Sequence, residues 1–244
     1  MASQLVQVNF KARDDSSLGQ FWAEALGWDI SSEAPGVTNL QPVGSVWPNP
    51  NAVCIDIVAV PDPETVHYRA HINLATTSLS QQAEWVSRLK KLGATPVDMG
   101  QGNVPWVALA DPEGNVFFVL EPREIYRDTG PIAAVVVDCA EPRSMAHFWG
   151  EATGWKVHET TDDHATLRSA KGVGPYLEFS RMTDQKTVPS RMHLDLLPGR
   201  GEDQVELGRL QILGAKLFDI GQGDVPWKVL IDPEGNEFCL LRGR

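Results

Sequence analysis

The sequence predicts an α+β fold built from four β-α-β-β-β modules, arranged as two tandem domains. Two observations support this prediction. The stretch GQGNVPWVALADPEGN at 100–115 returns as GQGDVPWKVLIDPEGN at 221–236, with twelve of the sixteen positions identical. Within each half of the chain, a strand signal is followed by one helix signal and three further strand signals, and this order occurs twice.

The repeat extends along the whole chain, because three other segments return in the same order. They are FWAEALGW (21–28 and, as FWGEATGW, 148–155), RAHINL (69–74 and, as RMHLDL, 191–196) and LKKLGA (89–94 and, as LQILGA, 210–215). We therefore predict a first domain at 1–124 and a second at 130–244. The segment between them, EPREIYRDTGP, is polar and ends in Gly-Pro, which is typical of a linker.

The first module begins with a strand at 5–10. Asp14 to Ser17 supplies candidate helix N-caps, and Gly27 stands where a C-cap is expected. Between them, apolar residues recur at helical spacing. This apolar face consists of Leu18, Phe21, Trp22, Ala25 and Leu26. Strands are predicted near 28–31, 37–42 and 52–60.

The second module repeats the order, with a strand at 71–76, a helix over about 78–92 and strands near 94–98, 106–110 and 116–120. DPEGN at 111–115 separates the last two strands, and its Pro and Gly are typical of a tight hairpin loop. We expect the hairpin to recur at 232–236, and both Phe-Trp pairs to be buried beneath a sheet.

Composition excludes several classes of function. The net charge of −11 would repel a nucleic-acid backbone. No apolar run is long enough to span a bilayer, and the first residues do not resemble a signal peptide. Three widely spaced cysteines do not form a disulfide framework, so a reducing cytoplasm is the expected location.

The paired modules, the aromatic pair ahead of a Gly-Trp dipeptide and the terminal DPEGN hairpin resemble the vicinal oxygen chelate superfamily. The closest branch is that of glyoxalase-like and bleomycin-resistance-like domains. The resemblance implies that two modules together form a curved mixed sheet around a cup, whose concave face holds the site. Pairing of modules within one copy and exchange of modules between copies both remain open.

The resemblance also implies which positions hold a metal in the metal-dependent members, two in each module. In the first copy these positions are Gln7, Asp56, His71 and Phe118, and in the second they are Ala134, Glu178, His193 and Cys239. Phenylalanine and alanine cannot coordinate a metal. We therefore expect no metal cofactor, with Gln7, Asp56 and His71 as a weak candidate set for a divalent ion.

The expected ligand-binding residues surround one histidine in each copy. They are Gln7, Asp56, His71, Asn73 and Trp106 in the first copy and Glu178, His193, Asp195 and Trp227 in the second. His71 and His193 are candidate general bases, assisted by Arg69 or Arg191, which stand two residues earlier. A structural alternative is that Asp56 and Glu178 partner these Arg or His side chains, and that the tryptophans belong to the core.

Three functions fit these residues. The first is non-catalytic binding of a small, partly apolar or aromatic molecule, for which an acidic surface favours cationic or neutral compounds. The second is a metal-dependent lyase, isomerase or dioxygenase, and the third is a metal-free enzyme with a histidine base. The expected assembly is a pseudo-dimeric monomer or a homodimer, with a small molecule as the partner.

Overall fold

The computed structural model describes residues 2–49, 51–61, 69–100, 102, 104–183, 186–221 and 223–243. Its elements confirm the four β-α-β-β-β modules. The first module comprises β1 (Gln4–Ala12), α1 (Asp15–Leu26), β2 (Trp28–Ala34), β3 (Val37–Pro42) and β4 (Cys54–Ala59). The second comprises β5 (Ala70–Leu74), α2 (Leu79–Lys91), β6 (Thr95–Pro96), β7 (Trp106–Ala110) and β8 (Val116–Leu120).

A single 3₁₀ turn, Glu124–Tyr126, lies in the linker between the copies. The third module comprises β9 (Ile132–Cys139), α3 (Pro142–Thr153), β10 (Lys156–Thr160), β11 (His164–Arg168) and β12 (Tyr176–Arg181). The fourth comprises β13 (Met192–Leu197), α4 (Asp203–Ile212), β14 (Lys216–Leu217), β15 (Lys228–Ile231) and β16 (Glu237–Leu240). Within the described residues, no helix combines the length and hydropathy that a membrane span requires.

The modules exchange between the two copies. Sheet 1 has the strand order β14-β15-β16-β13-β1-β4-β3-β2, so it joins the first module to the fourth. Sheet 2 has the order β10-β11-β12-β9-β5-β8-β7-β6, so it joins the third module to the second. The two central contacts are the antiparallel pairs β1–β13 and β5–β9. Each eight-stranded sheet therefore contains one module from each copy.

One face of each sheet contributes to a single apolar core that also includes residues of all four helices. Phe21 and Trp22 of α1 and Phe148 and Trp149 of α3 are buried in this core, as the sequence predicted. The first helix begins and ends as predicted. The carboxylate of Asp14 accepts a hydrogen bond from the backbone N–H of Ser17, and Gly27 adopts the left-handed conformation at the C-terminus.

The repeated DPEGN segment is a hairpin loop in both copies, and it also fixes a helix. Asp111 Oδ1 accepts hydrogen bonds from the backbone N–H groups of Glu113 and Asn115. Its Oδ2 accepts from the indole Nε1 of Trp22 at 3.2 Å. Asp232 and Trp149 repeat this contact in the second copy at 3.4 Å. The motif therefore attaches the second module of each copy to the first helix of the same copy.

The glutamate of the motif contacts a third element. Glu113 Oε1 accepts from the backbone N–H groups of Arg13 and Asp14, just ahead of α1. Its Oε2 lies 3.1 Å from Nη2 of Arg191, which belongs to the other copy. Each hairpin thus binds together the two copies as well as the two modules of its own copy.

Candidate functional site

The second face of sheet 1 carries a group of polar side chains. Residues on these strands alternate between the apolar core and the opposite face, as the period of a strand requires. The register places Gln7 beside Asp195, and Asp195 beside Cys239. Asn9 lies between Asp56 on one side and His193 on the other. We call Gln7, Asp56, His193, Asp195 and Cys239 the polar cluster.

Gln7 is the centre of the polar cluster. Its Nε2 donates to Oδ2 of Asp56 at 2.5 Å and to Oδ2 of Asp195 at 2.9 Å. Its Oε1 accepts a hydrogen bond from the indole Nε1 of Trp47 at 3.1 Å. Two carboxylates thus share one amide group, while an indole from the β3–β4 connection holds the other end of that amide.

His193 lies against the other side of the cluster. Its Nε2 is 3.2 Å from Oδ1 of Asp195 and 3.4 Å from Sγ of Cys239. Candidate metal-binding atoms of these three residues all lie within 4.8 Å of one another. A carboxylate beside an imidazole fixes the orientation of the ring.

Burial shifts the acidity of the cluster. It raises the pKa of Asp56 to about 6, and the negative charge of the neighbouring Asp195 raises it further. Hydrogen bonds from Asn39 and Gln7 to the Asp56 carboxylate act in the opposite direction and lower this pKa. Burial also raises the pKa of the Cys239 thiol, again with a contribution from Asp195. Asp56 is therefore able to gain or lose a proton near neutral pH, whereas Cys239 stays a thiol.

Asp56→Asn is expected to change how stability depends on pH. The pKa of Asp56 is about 6 in the folded chain against a reference value of 3.8. Because the folded state binds the proton more tightly, this group lowers the free energy of unfolding as pH rises from about 4 to about 6. The free energy of unfolding of the variant, relative to that of the parent, should therefore increase by up to about 2–3 kcal/mol as pH rises through that window. Urea unfolding of variant and parent at pH 4.5 and at pH 7.5 measures this increase. The same difference between variant and parent at both pH values would contradict the prediction.

Apolar side chains stand beside the polar cluster. Trp227 directly precedes β15, two residues ahead of Val229, whose register partner is Cys239. The backbone N–H of Phe218 bonds to the carbonyl of Val229 on the neighbouring strand. Trp227 and Phe218 are 37% and 39% exposed, which is high for aromatic rings of this size. This face therefore combines a polar floor with exposed aromatic surface.

The corresponding face of sheet 2 carries a buried apolar cluster and is partly covered by the linker. Its buried cluster includes Tyr126, Ala134 and Tyr176, with Trp106 and Phe118 packed against it. The hydroxyl of Tyr126, in the linker, donates to Oε1 of the buried Glu178 at 2.7 Å. Burial raises the pKa of this carboxyl group. Glu178 is the counterpart of Asp56 on sheet 2, and Tyr126 of the linker already occupies its carboxylate.

The structure groups the predicted site residues differently from the sequence prediction. Gln7 and Asp56 lie on sheet 1 with His193, Asp195 and Trp227. The remaining predicted residues, His71, Asn73, Trp106 and Glu178, lie on sheet 2. The expected pockets within each copy were therefore wrong, and the weak metal set of Gln7, Asp56 and His71 is divided between the two sheets. The physical reason is the exchange of modules.

The two arginines have a structural role. Arg191 is only 2% exposed, donates to the carbonyls of Lys11 and Glu113, and pairs with the Glu113 carboxylate. Arg69 lies 3.7 Å from Glu234, the equivalent glutamate of the second hairpin. The prediction that Arg69 or Arg191 assists a catalytic histidine stays a prediction, although both side chains contact hairpin glutamates. Asp56 accepts hydrogen bonds from Asn39 and Gln7, and Glu178 accepts one from Tyr126, instead of from the Arg or His side chains of the structural alternative.

The metal-ligand positions that meet on sheet 1 are Gln7, Asp56, His193 and Cys239. Glutamine coordinates through its oxygen, but that oxygen faces the Trp47 indole, and the NH₂ group faces the carboxylates. A thiol with a raised pKa is also a poor ligand, because the thiolate is the form that binds metals. This arrangement does not fit the metal of the metal-dependent relatives.

A separate cavity of about 520 Å³ lies at α4, between that helix, residues 224–228 and the end of β16. Leu207, Leu240 and Arg242 are among its lining residues. Leu207 and Leu240 also contact the core, so the cavity is on the helix side of sheet 1. Its lining contains no member of the polar cluster. The volume of a cavity alone therefore does not identify the candidate site, and the polar cluster of sheet 1 is the stronger evidence for its location.

Sequence reasoning missed three residues of these faces. Asn9 is two residues from Gln7 on the same strand, so alternation alone could have indicated it. Trp47 and Tyr126 are in connections between regular elements, where no periodic pattern shows which surface a side chain covers.

Comparison with known proteins gives a family and a fold. Residues 7–120 and 134–241 each match the family model of the glyoxalase-like domain. The structure of glyoxalase I from Zea mays superposes with a TM-score of 0.70 at 15% identity, covering 99% of this chain and 92% of that chain. A putative dioxygenase from Bacillus subtilis gives a TM-score of 0.66 at 13% identity, covering 97% and 84%. No curated protein sequence matches the chain.

Proposed function

The chain belongs to the glyoxalase-like domain family of the vicinal oxygen chelate superfamily, and we propose that it binds a small amine-bearing molecule on the polar face of sheet 1, without a metal. The observation that carries this proposal is the sharing of one Gln7 amide by the carboxylates of Asp56 and Asp195. Asn39 also bonds to Asp56, and His193 lies beside Asp195. Oδ1 of Asp195 is nevertheless buried without a hydrogen bond in the described part of the chain, so the two carboxylates keep unused acceptor capacity. An ammonium group supplies both the missing donors and the missing positive charge.

The surroundings of the cluster define the rest of the ligand. Trp47 is partly buried and bonded to Gln7, while Phe218, beside Val229, and Trp227, just ahead of β15, present exposed rings. Aromatic rings bind apolar bodies, and they also attract cations over their faces. The ligand class that fits is a primary amine on a small aromatic or aliphatic body.

Sheet 2 is a weaker candidate for the same function. Its Glu178 carboxylate is already bonded to Tyr126, and Ala134 replaces the amide that Gln7 supplies on sheet 1. We therefore assign the binding role to sheet 1 alone.

A second candidate function is metal-free acid–base catalysis, and the contact between His193 and Asp195 favours it. Asp195 would orient the imidazole of His193, which would accept a proton from the bound molecule. Asp56, with a pKa of about 6, would hold or return a proton. Turnover of a bound amine by the parent and its loss in His193→Gln, with binding retained, would distinguish this function from binding alone.

Calorimetric titration with benzylamine and with benzyl alcohol tests the binding proposal. The parent should bind benzylamine at least 10-fold more tightly than the alcohol, because charge-assisted hydrogen bonds contribute about 1.5–3 kcal/mol. Asp56→Asn should reduce the affinity for benzylamine by about 10- to 100-fold. Glu178→Gln on sheet 2 is the matched control and should bind like the parent. Equal binding of amine and alcohol, or a larger loss in the control, contradicts the proposal.

A further inference from the structure

The geometry points to Trp47 as the residue that keeps divalent metals out of the polar cluster. We infer that its indole N–H fixes which end of the Gln7 amide faces the two carboxylates. This inference deepens the proposed function and rests on it in one respect, since it explains why that site works without a metal. Its test, however, uses metal ions alone and requires no organic ligand.

The orientation of Gln7 follows from hydrogen-bond chemistry at both ends of its amide. The indole Nε1 of Trp47 is a donor only, so the atom 3.1 Å away from it must be the amide oxygen. Ionised carboxylates are acceptors only, so the group that faces Asp56 and Asp195 must be the NH₂. The two ends require the same orientation and reinforce each other.

This orientation has a direct consequence for metal binding. An amide nitrogen that carries two hydrogens has no lone pair to offer, and it places those hydrogens among the oxygens that would coordinate a cation. For Gln7 to become a ligand, its amide must rotate by about half a turn. The rotation would leave the indole N–H of Trp47 facing an NH₂ group, so this partly buried donor would lose the Gln7 oxygen as its acceptor.

The penalty of that rotation sets the expected effect. The loss of an acceptor costs a buried donor about 1–3 kcal/mol, so the partly buried Trp47 indole would lose at most about that much, which corresponds to at most about 10- to 100-fold in affinity. Trp47→Phe retains an aromatic ring but removes the N–H, so the amide is able to turn at lower cost. The variant should therefore bind a divalent metal more tightly than the parent, by up to about 100-fold.

A matched control removes the same group elsewhere. Trp106 lies on sheet 2, and its indole Nε1 is buried with no hydrogen-bond partner within the described part of the chain. Trp106→Phe thus deletes an indole N–H that makes no such contact. It should leave metal affinity at the level of the parent.

A second variant tests the orientation itself. Gln7→Glu replaces the amide by a group with two equivalent oxygens, so one oxygen is able to accept from Trp47 while the other faces the cluster. This change should raise metal affinity with Trp47 in place. Adding Trp47→Phe to Gln7→Glu should then produce no further gain, because no amide orientation remains to be fixed.

The experiment is calorimetric titration of EDTA-treated, dialysed protein with Zn²⁺ and with Ni²⁺, for the parent and the four variants. Thermal unfolding of each variant confirms that it is folded. The expected result is a gain in Trp47→Phe, none in Trp106→Phe, and a loss of the Trp47 effect in the Gln7→Glu background. Tight metal binding by the parent, or an equal Trp47→Phe gain in both backgrounds, overturns the inference. If Trp47→Phe does not fold, Gln7→Glu alone decides, since no gain in that variant also overturns it. Failure of amine binding, by contrast, would leave these metal titrations unchanged.

Discussion

Glu113→Ala is expected to lower the free energy of unfolding by about 3–5 kcal/mol, the cost typical of removing one partner of a buried ion pair. Arg191, which is 2% exposed in the parent, would lose the Glu113 carboxylate that lies 3.1 Å from it. The backbone N–H groups of Arg13 and Asp14, just ahead of α1, would also lose their acceptor. Urea unfolding at pH 7.5 measures the change.

The second hairpin supplies a control for this prediction. Glu234 makes the equivalent backbone contacts ahead of α3, but its distance to Arg69 is 3.7 Å, and Arg69 is more exposed than Arg191. Glu234→Ala should therefore be less damaging than Glu113→Ala. Equal effects, or a loss below about 1 kcal/mol in Glu113→Ala, would show that the buried ion pair does not stabilise the contact between the copies.

Residues 1–124 expressed alone are expected to form a homodimer rather than a folded monomer. In the intact chain, β1 pairs with β13 and β5 pairs with β9, so the first copy alone leaves both β1 and β5 without their antiparallel partners. Two such halves are able to pair the first module of one with the second module of the other, which restores both central contacts. Light scattering should give a mass close to the 26.8 kDa of the whole chain. A stable folded monomer would contradict the exchange as a requirement of the fold.

Much of the fold was predictable from local patterns. Helical spacing from Leu18 to Leu26, the caps at Asp14 and Gly27 and the DPEGN turns all act over a few residues, and the structure confirms each of them. The pairing of the modules was not predictable. All four modules begin with a similar strand, and backbone hydrogen bonds between strands do not depend on which module supplies the partner.

The same ambiguity explains what could be predicted about the site. Gln7, Asp56 and His193 were recognised as candidates because the family resemblance implied them as metal-ligand positions. Asp195 was recognised because it alternates onto the same face of its strand as His193. Their grouping was wrong because it depended on module pairing. The role of Arg191 was hidden for a similar reason, since its partner Glu113 is 78 residues away in the chain.

The difference between the two faces also arises from long-range contacts. The linker follows the first copy and carries Tyr126, which covers Glu178. On sheet 1, the β3–β4 connection instead places Trp47 against Gln7. Trp227 and Phe218 remain exposed there. Two copies with closely similar motifs therefore present one face with a buried apolar cluster under the linker and one face with a polar cluster and exposed rings.

The central claim is that the polar face of sheet 1 binds a small amine without a metal. The most direct test is to titrate EDTA-treated, ¹⁵N-labelled protein with benzylamine while following the indole N–H signals, each assigned with a Trp→Phe variant. We expect saturable shifts of the Trp47 and Trp227 signals, with the signal of Trp106 on sheet 2 unchanged. Shifts confined to Trp106, or no shift of any indole until a divalent metal is added, would contradict it.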